Sequence, residues 1–187
     1  MCLPCKPTLT TATTKGHDPM SAAWNTTGSV DLYIDARPDD IYDRIADVTG
    51  TGDRSLECSK CVWLPGAPAG TVGSRFRGTN RKGRVIRWSR VCEVTAADRG
   101  LIFAFRTIPE RWDVSRKDST TWTYTLRPDG HGTTVTHSYE IVKSPVGPFP
   151  RVFGWLMPHH KDMRPHMAHT LRALRDQLEP AAGTPTT

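Results

Sequence analysis

A change in the spacing of apolar residues, completed within twenty positions, constrains the fold of this chain more than any other sequence feature. Val30, Leu32 and Ile34 alternate with polar residues, which predicts a β-strand with one buried face. From Pro38 to Val48 the apolar residues recur every three or four positions instead, which predicts a helix. Proline suits the first helical turn because its missing N–H leaves no hydrogen bond unmade. The folded part of the chain therefore opens with a strand that leads directly into a helix.

Alternating segments farther along the chain predict six more strands. These predicted strands are Cys61–Leu64, Ser74–Asn80, Arg84–Thr95, Leu101–Thr107, Thr120–Leu126 and Thr133–Val142. A second short helix is predicted from Asp53 to Ser59, between the first two strands.

A single amphipathic helix is predicted at the end of the chain, over residues 164–179. Its apolar residues follow one another at intervals of four, four, three and four positions, so they form one stripe. The stripe consists of Met163, Met167, Leu171, Leu174 and Leu178. Pro165 fits the first turn of this helix and Pro180 ends it.

The composition is that of one domain with a polar surface, since 37% of the residues are hydrophobic and 24% are charged. We expect a domain over residues 29–180, with a disordered extension over 1–28 and a disordered tail over 181–187. No apolar run approaches the ~20 residues that span a bilayer, and the N-terminus lacks an apolar signal segment. The sequence thus predicts a cytoplasmic protein without an integral membrane segment.

The net charge of +6 permits attraction to nucleic acid or anionic lipid without requiring either. Much of the excess lies between Arg75 and Arg90, where a solvated face of a β-hairpin with a charged turn is the favoured interpretation and an anion-attracting patch at a cavity mouth is the alternative. Few aromatic residues are interleaved with these cations, so we expect no nucleic-acid partner. Nothing in the sequence predicts the oligomeric state.

Alternation also predicts which strand residues face the concave side of the sheet. Most of them are apolar, but Ser74, Asn80, Arg90 and His137 share their parity. A buried polar group needs a partner or water, so an apolar wall with a few polar groups indicates a ligand pocket. The alternative is that a β-bulge shifts the parity, or that strand ends place these groups in water. The residues predicted to contact a ligand are Asn80, Trp88, Arg90, Phe103, Phe105, Trp122, Tyr139, Met163 and Met167.

Cysteine and histidine clusters raise the question of a metal site. Cys2/Cys5 and Cys58/Cys61 form two Cys-x-x-Cys pairs, which is the ligand count of a zinc site. The pairs are over fifty residues apart and the first lies in the predicted extension, so we expect buried thiols instead. The histidine-rich segment that includes His159, His160, His166 and His169 lacks a His-Glu-x-x-His pattern and reads as a solvated helix start. We therefore expect neither a metal nor another cofactor.

The order of these elements resembles the START-like (Bet v 1-like) superfamily, in its polyketide cyclase/dehydrase and lipid-transport branch, and so do the segments Glu57–Leu64, Val72–Arg81 and Trp122–Leu126. The resemblance covers about residues 29–179. It implies an α+β helix-grip fold, in which a curved antiparallel sheet wraps around a long C-terminal helix and two short helices join the first two strands. Arg54 and Leu56 stand where members of the superfamily often carry Trp and Pro, so the shape of the cavity entrance does not carry over.

The same resemblance implies that a hydrophobic small molecule, lipid-like or polyketide-like, binds in the cavity of a carrier or cyclase-like protein. The alternative is an acid/base enzyme that cyclises and dehydrates a polyketide, with His137 and Tyr124 transferring protons and Asn80 or Arg90 binding carbonyl or enolate oxygens. His137 is favoured because an ordinary imidazole titrates near neutral pH. An interaction module for protein or nucleic acid ranks third.

Overall fold

The computed structural model describes residues 25–83, 85–110, 119–143 and 161–179. The predicted tail over 181–187, most of the predicted extension, and Cys2, Cys5, His159 and His160 lie outside these ranges. Within them, no helix is both long enough and apolar enough to cross a bilayer.

Seven strands form one antiparallel sheet in the order β1-β7-β6-β5-β4-β3-β2. The strands are β1 (Thr27–Ile34), β2 (Cys58–Trp63), β3 (Arg75–Lys82), β4 (Ile86–Asp98), β5 (Ile102–Ile108), β6 (Ser119–Asp129) and β7 (Gly132–Lys143). The helices are α1 (Pro38–Ala46), α2 (Thr51–Arg54) and α3 (Arg164–Leu178), and a single 3-10 turn, Val48–Gly50, precedes α2. This is the predicted helix-grip fold, and every predicted strand is present.

The segment between the first two strands differs most from its prediction. The second helix occupies Thr51–Arg54 instead of residues 53–59, and β2 begins at Cys58. The hydroxyl of Ser55 accepts hydrogen bonds from the backbone N–H groups of Glu57 and Cys58, at 3.2 and 2.9 Å. These bonds hold the chain in a turn after α2, so the helix cannot continue to residue 59.

The start of the domain also differs from its prediction, because β1 begins at Thr27, two residues before the expected boundary. The backbone N–H of Ile141 donates to the carbonyl of Thr26 over 2.7 Å, and that of Asn25 donates to Lys161 over 3.1 Å. Residues 25–28 are therefore part of the folded domain.

The main core lies between the concave face of the sheet and α3. Leu171 and Leu174 on α3 are buried, as the apolar stripe predicted, and they pack in one cluster with Ile34, Val94 and other sheet residues. Each fully buried side chain of this kind stabilises the fold by about 2 kcal/mol. The helix is thereby fixed across the sheet, and the space that its side chains do not fill becomes the cavity.

Candidate functional site: an apolar cavity under the C-terminal helix

A cavity of about 450 Å³ lies between the sheet and α3. Six apolar side chains from the helices and strands form much of its wall: Ile45, Val48, Phe76, Phe105, Ile141 and Leu174. A volume in this range suits a small organic molecule, and an apolar wall with few polar groups is typical of ligand sites.

Most of the residues predicted to form the site lie in this wall. They are Asn80, Trp88, Arg90, Phe105, Trp122, Tyr124, His137, Met163 and Met167. Trp88 and Trp122 both face the concave side, so the alternation along β4 and β6 predicted the correct face of the sheet. That these residues contact a ligand remains a prediction.

Phe103 and Tyr139 do not lie in the wall, so their predicted place in it is wrong. Phe103 is 1% exposed and its ring packs edge-on against Tyr42 of α1, with centroids 6.0 Å apart. The hydroxyl of Tyr139 donates to the carbonyl of Asn25 over 3.0 Å. The ring of Tyr139 lies over Gly28, where an added Cβ would approach a ring carbon to 2.6 Å. Both aromatic rings therefore pack behind the wall, against the lining residues Phe105 and Trp122 respectively.

Ile86 and Leu101 have the spacing of the concave-face residues in their predicted strands, which places them on that face, but both are exposed. Ile86 is the first residue of β4, and Leu101 precedes the first residue of β5. Alternation assigned both residues to a face as if the strands extended past them. At the ends of the strands, however, the sheet is no longer covered by other elements, so these side chains meet solvent.

His137 and Tyr124 are cross-strand partners whose rings stack, with centroids 3.9 Å apart and planes 14° apart. Burial lowers the pKa of His137 to about 3, so its imidazole is neutral at pH 7. Burial raises the pKa of Tyr124, which stays a neutral phenol. Within the described part of the chain, Nδ1 of His137 is buried without a hydrogen-bond partner. The reason for favouring His137 as a proton-transfer group is thus wrong, because its imidazole does not titrate near neutral pH.

Three free thiols also lie in the wall, contributed by Cys58, Cys61 and Cys92. The sulfurs of Cys58 and Cys61 are 3.3 Å apart, because the register of β2 shifts between Cys58 and Lys60 and turns both side chains to the same face. The hydrogen bond to Cys61 lowers the pKa of Cys58 and raises that of Cys61, while burial raises the pKa of Cys92 to about 12. Across the described residues, no three His, Cys, Asp or Glu side chains lie close enough together to hold a metal ion.

The cavity wall includes one buried cation that sequence reasoning did not place there, Arg54 at the end of α2. It is 6% exposed, and burial lowers its pKa. The departure from the common Trp of the superfamily marked this position, but a four-residue helix has too little periodicity to show which way the side chain points. The helix also contributes Thr51, and α3 contributes His166 and Thr170, which were likewise not predicted to line the cavity.

Comparison with known proteins adds a family and a set of similar folds. A family model described as "Polyketide cyclase / dehydrase and lipid transport" matches residues 25–179. No curated protein matches the sequence significantly.

The chain is similar in fold to a di-domain ARO/CYC, StfQ, from the steffimycin biosynthetic pathway, with a TM-score of 0.65 and 12% identity. The match covers 85% of this chain and 52% of StfQ, so this chain spans about half of the di-domain protein. TTHA0849 from Thermus thermophilus has a TM-score of 0.60 and 18% identity, over 84% of this chain and 99% of that one. Ara h 8.0201 has a TM-score of 0.59 and 11% identity, and the match covers 81% of this chain and 96% of Ara h 8.0201. At these identities the likeness establishes the fold alone.

Proposed function

Because the chain belongs to the polyketide cyclase/dehydrase and lipid transport family, we propose that it binds one hydrophobic small molecule, lipid-like or polyketide-like, in the cavity under α3. The observation that carries this proposal is the apolar cavity of about 450 Å³, whose wall includes the predicted aromatic residues Trp88, Phe105 and Trp122. Transfer of apolar ligand surface from water to this wall supplies the affinity.

Binding ranks ahead of catalysis because of the two groups that would transfer protons. An imidazole whose pKa is about 3 is a weak base at neutral pH, and a phenol with a raised pKa is a weak acid. The cyclase-like alternative rests on the stacking of His137 and Tyr124 inside the same cavity. Conversion of a bound poly-β-ketone to a cyclised product would distinguish this enzyme from a carrier.

Fluorescence titration with N-phenyl-1-naphthylamine, a neutral apolar probe, tests the proposal. We expect a saturable increase in emission with one probe per chain, because the probe leaves water for the apolar cavity. A full-length, folded protein that gives no saturable increase would contradict the proposal.

Gly78→Leu provides a variant that fills the cavity. Gly78 lies in the wall, and an added Cβ would meet the sulfurs of Cys61 and Cys58 at the ordinary contact distances of 3.6 and 3.7 Å. The rest of the leucine side chain would then occupy cavity volume, so probe affinity should fall roughly tenfold or more. Thr79→Leu is the matched control, since successive side chains of β3 point to opposite faces of the sheet. The control should bind the probe as the wild type does.

A further inference from the structure

Arg54 is a buried cation that lacks a carboxylate partner among the described residues. Its Nη1 donates to Oε1 of Gln177 over 3.4 Å, and its Nη2 donates to the backbone carbonyl of Asp47 over 3.3 Å. Both acceptors are neutral and both distances are long for a hydrogen bond. A guanidinium group has five N–H donors, so these two bonds leave most of its donor capacity unused.

Other arginines of the same protein are paired although they are much more exposed. Arg75 lies 2.8 Å from a carboxylate oxygen of Glu93, Arg77 lies 2.7 Å from Glu110, and Arg99 lies 2.7 Å from Asp43. The contrast is notable because solvent screens an exposed charge, whereas a buried charge is stable only when it is paired. The side chain with the greatest need of an anion therefore has no described carboxylate within ion-pair distance, although the charges of Asp47 and Asp53 act on it from farther away.

The position of Arg54 explains where that anion would come from, since the side chain forms part of the cavity wall. Tyr124 lies in the same wall, near enough that each group influences the ionisation of the other. The Tyr124 hydroxyl makes no hydrogen bond within the described residues and remains available as a second donor. A cation and a phenol O–H beside an apolar wall match an oxyanion attached to a hydrophobic body.

We propose that the ligand is an amphipathic acid, a hydrophobic molecule with one carboxylate, and that Arg54 binds the carboxylate while the apolar wall binds the hydrophobic part. This inference rests on the proposed function and narrows it, because a neutral lipid or a neutral polyketide would leave Arg54 unpaired. Arg54 is thus a specificity-determining residue in this chain, at a position where members of the superfamily often carry Trp.

A matched pair of ligands tests this inference in the wild-type protein. Dodecanoate and dodecanamide have the same chain and nearly the same size, and only the first carries a charge at pH 7.5. Their affinities are measured by displacement of N-phenyl-1-naphthylamine. We expect dodecanoate to bind roughly tenfold or more tightly than dodecanamide, the range of a charge-assisted hydrogen bond.

Variants then assign the preference to Arg54. Arg54→Gln should abolish the preference for dodecanoate over dodecanamide, because only the acid loses a charge-assisted interaction; the affinity of the variant for the probe is measured first, so that both displacement constants can be compared within the variant. Arg44→Gln is the matched control, because Arg44 is an exposed neighbour whose charge acts on Arg54 but which does not line the cavity. This control should keep the preference, which excludes a general effect of net charge.

Each contrary outcome identifies the claim that fails. Equal binding of acid and amide by the wild type overturns the inference and leaves the proposed function standing. A preference that persists in Arg54→Gln overturns the role of Arg54. Failure of the probe and both ligands to bind overturns the proposed function and the inference together. The wild-type comparison requires no variant, so it decides whether the cavity prefers an acid even if Arg54→Gln does not fold.

Discussion

His137 shows how the sheet changes the chemistry of a single residue. It is 4% exposed, its ring lies against those of Tyr124 and Trp122, and nothing within the described residues pairs with its Nδ1. Removal from water disfavours the charged imidazolium, which is why the pKa falls from about 6.5 to about 3. The residue is therefore a neutral polar spot in an apolar wall.

This pKa predicts a specific dependence of stability on pH. Between pH 6.5 and 3 the unfolded chain binds a proton at His137 that the folded chain does not bind, so the free energy of unfolding decreases as the pH falls. The contribution of His137 to the free energy of unfolding is fully present above pH 6.5. About 2–3 kcal/mol of this free energy is lost when the pH falls to 4.5. Urea unfolding of the wild type and of His137→Leu at pH 7.5 and 4.5 measures it, because the variant lacks this titration.

Between pH 7.5 and 4.5, we expect the free energy of unfolding to fall by about 2–3 kcal/mol more for the wild type than for His137→Leu. His131→Asn is the control, since it changes an exposed histidine in the β6–β7 turn, and it should follow the wild-type profile. A difference between wild type and His137→Leu that is the same at both pH values would contradict the burial of a neutral imidazole.

For individual residues, strand alternation predicted which face of the sheet a side chain lies on. Alternation gave the face for Trp88, Trp122 and His137, because side chains in a strand point to opposite faces with a period of two. Alternation does not show which part of the concave face a residue lies on. Phe103 was therefore predicted to line the cavity, whereas it packs in the core under α1.

At the scale of elements, the irregularity in β2 determines the chemistry of the thiols. In a regular strand, residues three positions apart point to opposite faces, whereas the register shift between Cys58 and Lys60 brings Cys58 and Cys61 to one face. The Cys61 thiol can then donate to a Cys58 thiolate, which lowers the pKa of Cys58.

This arrangement predicts the order in which the three thiols react. The thiolate is the nucleophile, so we expect iodoacetamide at pH 7.5 to alkylate Cys58 faster than Cys61 or Cys92, as measured by peptide mapping of the full-length protein. Cys61→Ala should slow alkylation of Cys58 because it removes the donor, whereas Cys92→Ala should leave the rate unchanged. If Cys61 reacts first, the proposed hydrogen-bond direction is wrong; if Cys92 reacts first, burial does not suppress its ionisation as described.

The elements themselves were largely predictable. Strands and the terminal helix follow from apolar spacing, and α3 spans Arg164–Leu178 against the predicted 164–179. The region between α1 and β2 could not be predicted in the same way. Hydrogen bonds to the Ser55 side chain end the short helix there, and a bulge lies at the start of the next strand. Neither feature leaves a periodic pattern in the sequence.

At the scale of the whole molecule, the sheet and α3 enclose more space than their side chains fill. Leu171 and Leu174 fix the helix on the sheet, and the remaining volume is bounded by aromatic residues, thiols and Arg54, which has no carboxylate at ion-pair distance among the described residues. Such a cavity is consistent with the match to the polyketide cyclase/dehydrase and lipid transport family. In this chain its wall combines apolar side chains with the buried cation Arg54.

The most direct test of this account is to locate a bound probe within the protein by NMR. With N-phenyl-1-naphthylamine at saturation, the account predicts nuclear Overhauser effects from the probe to the indole protons of Trp88 and Trp122 and to the methyl group of Met167, which line the cavity. Saturable binding with Overhauser effects only to exposed apolar residues, such as Val72 (61% exposed) and Val85 (89% exposed), would contradict it.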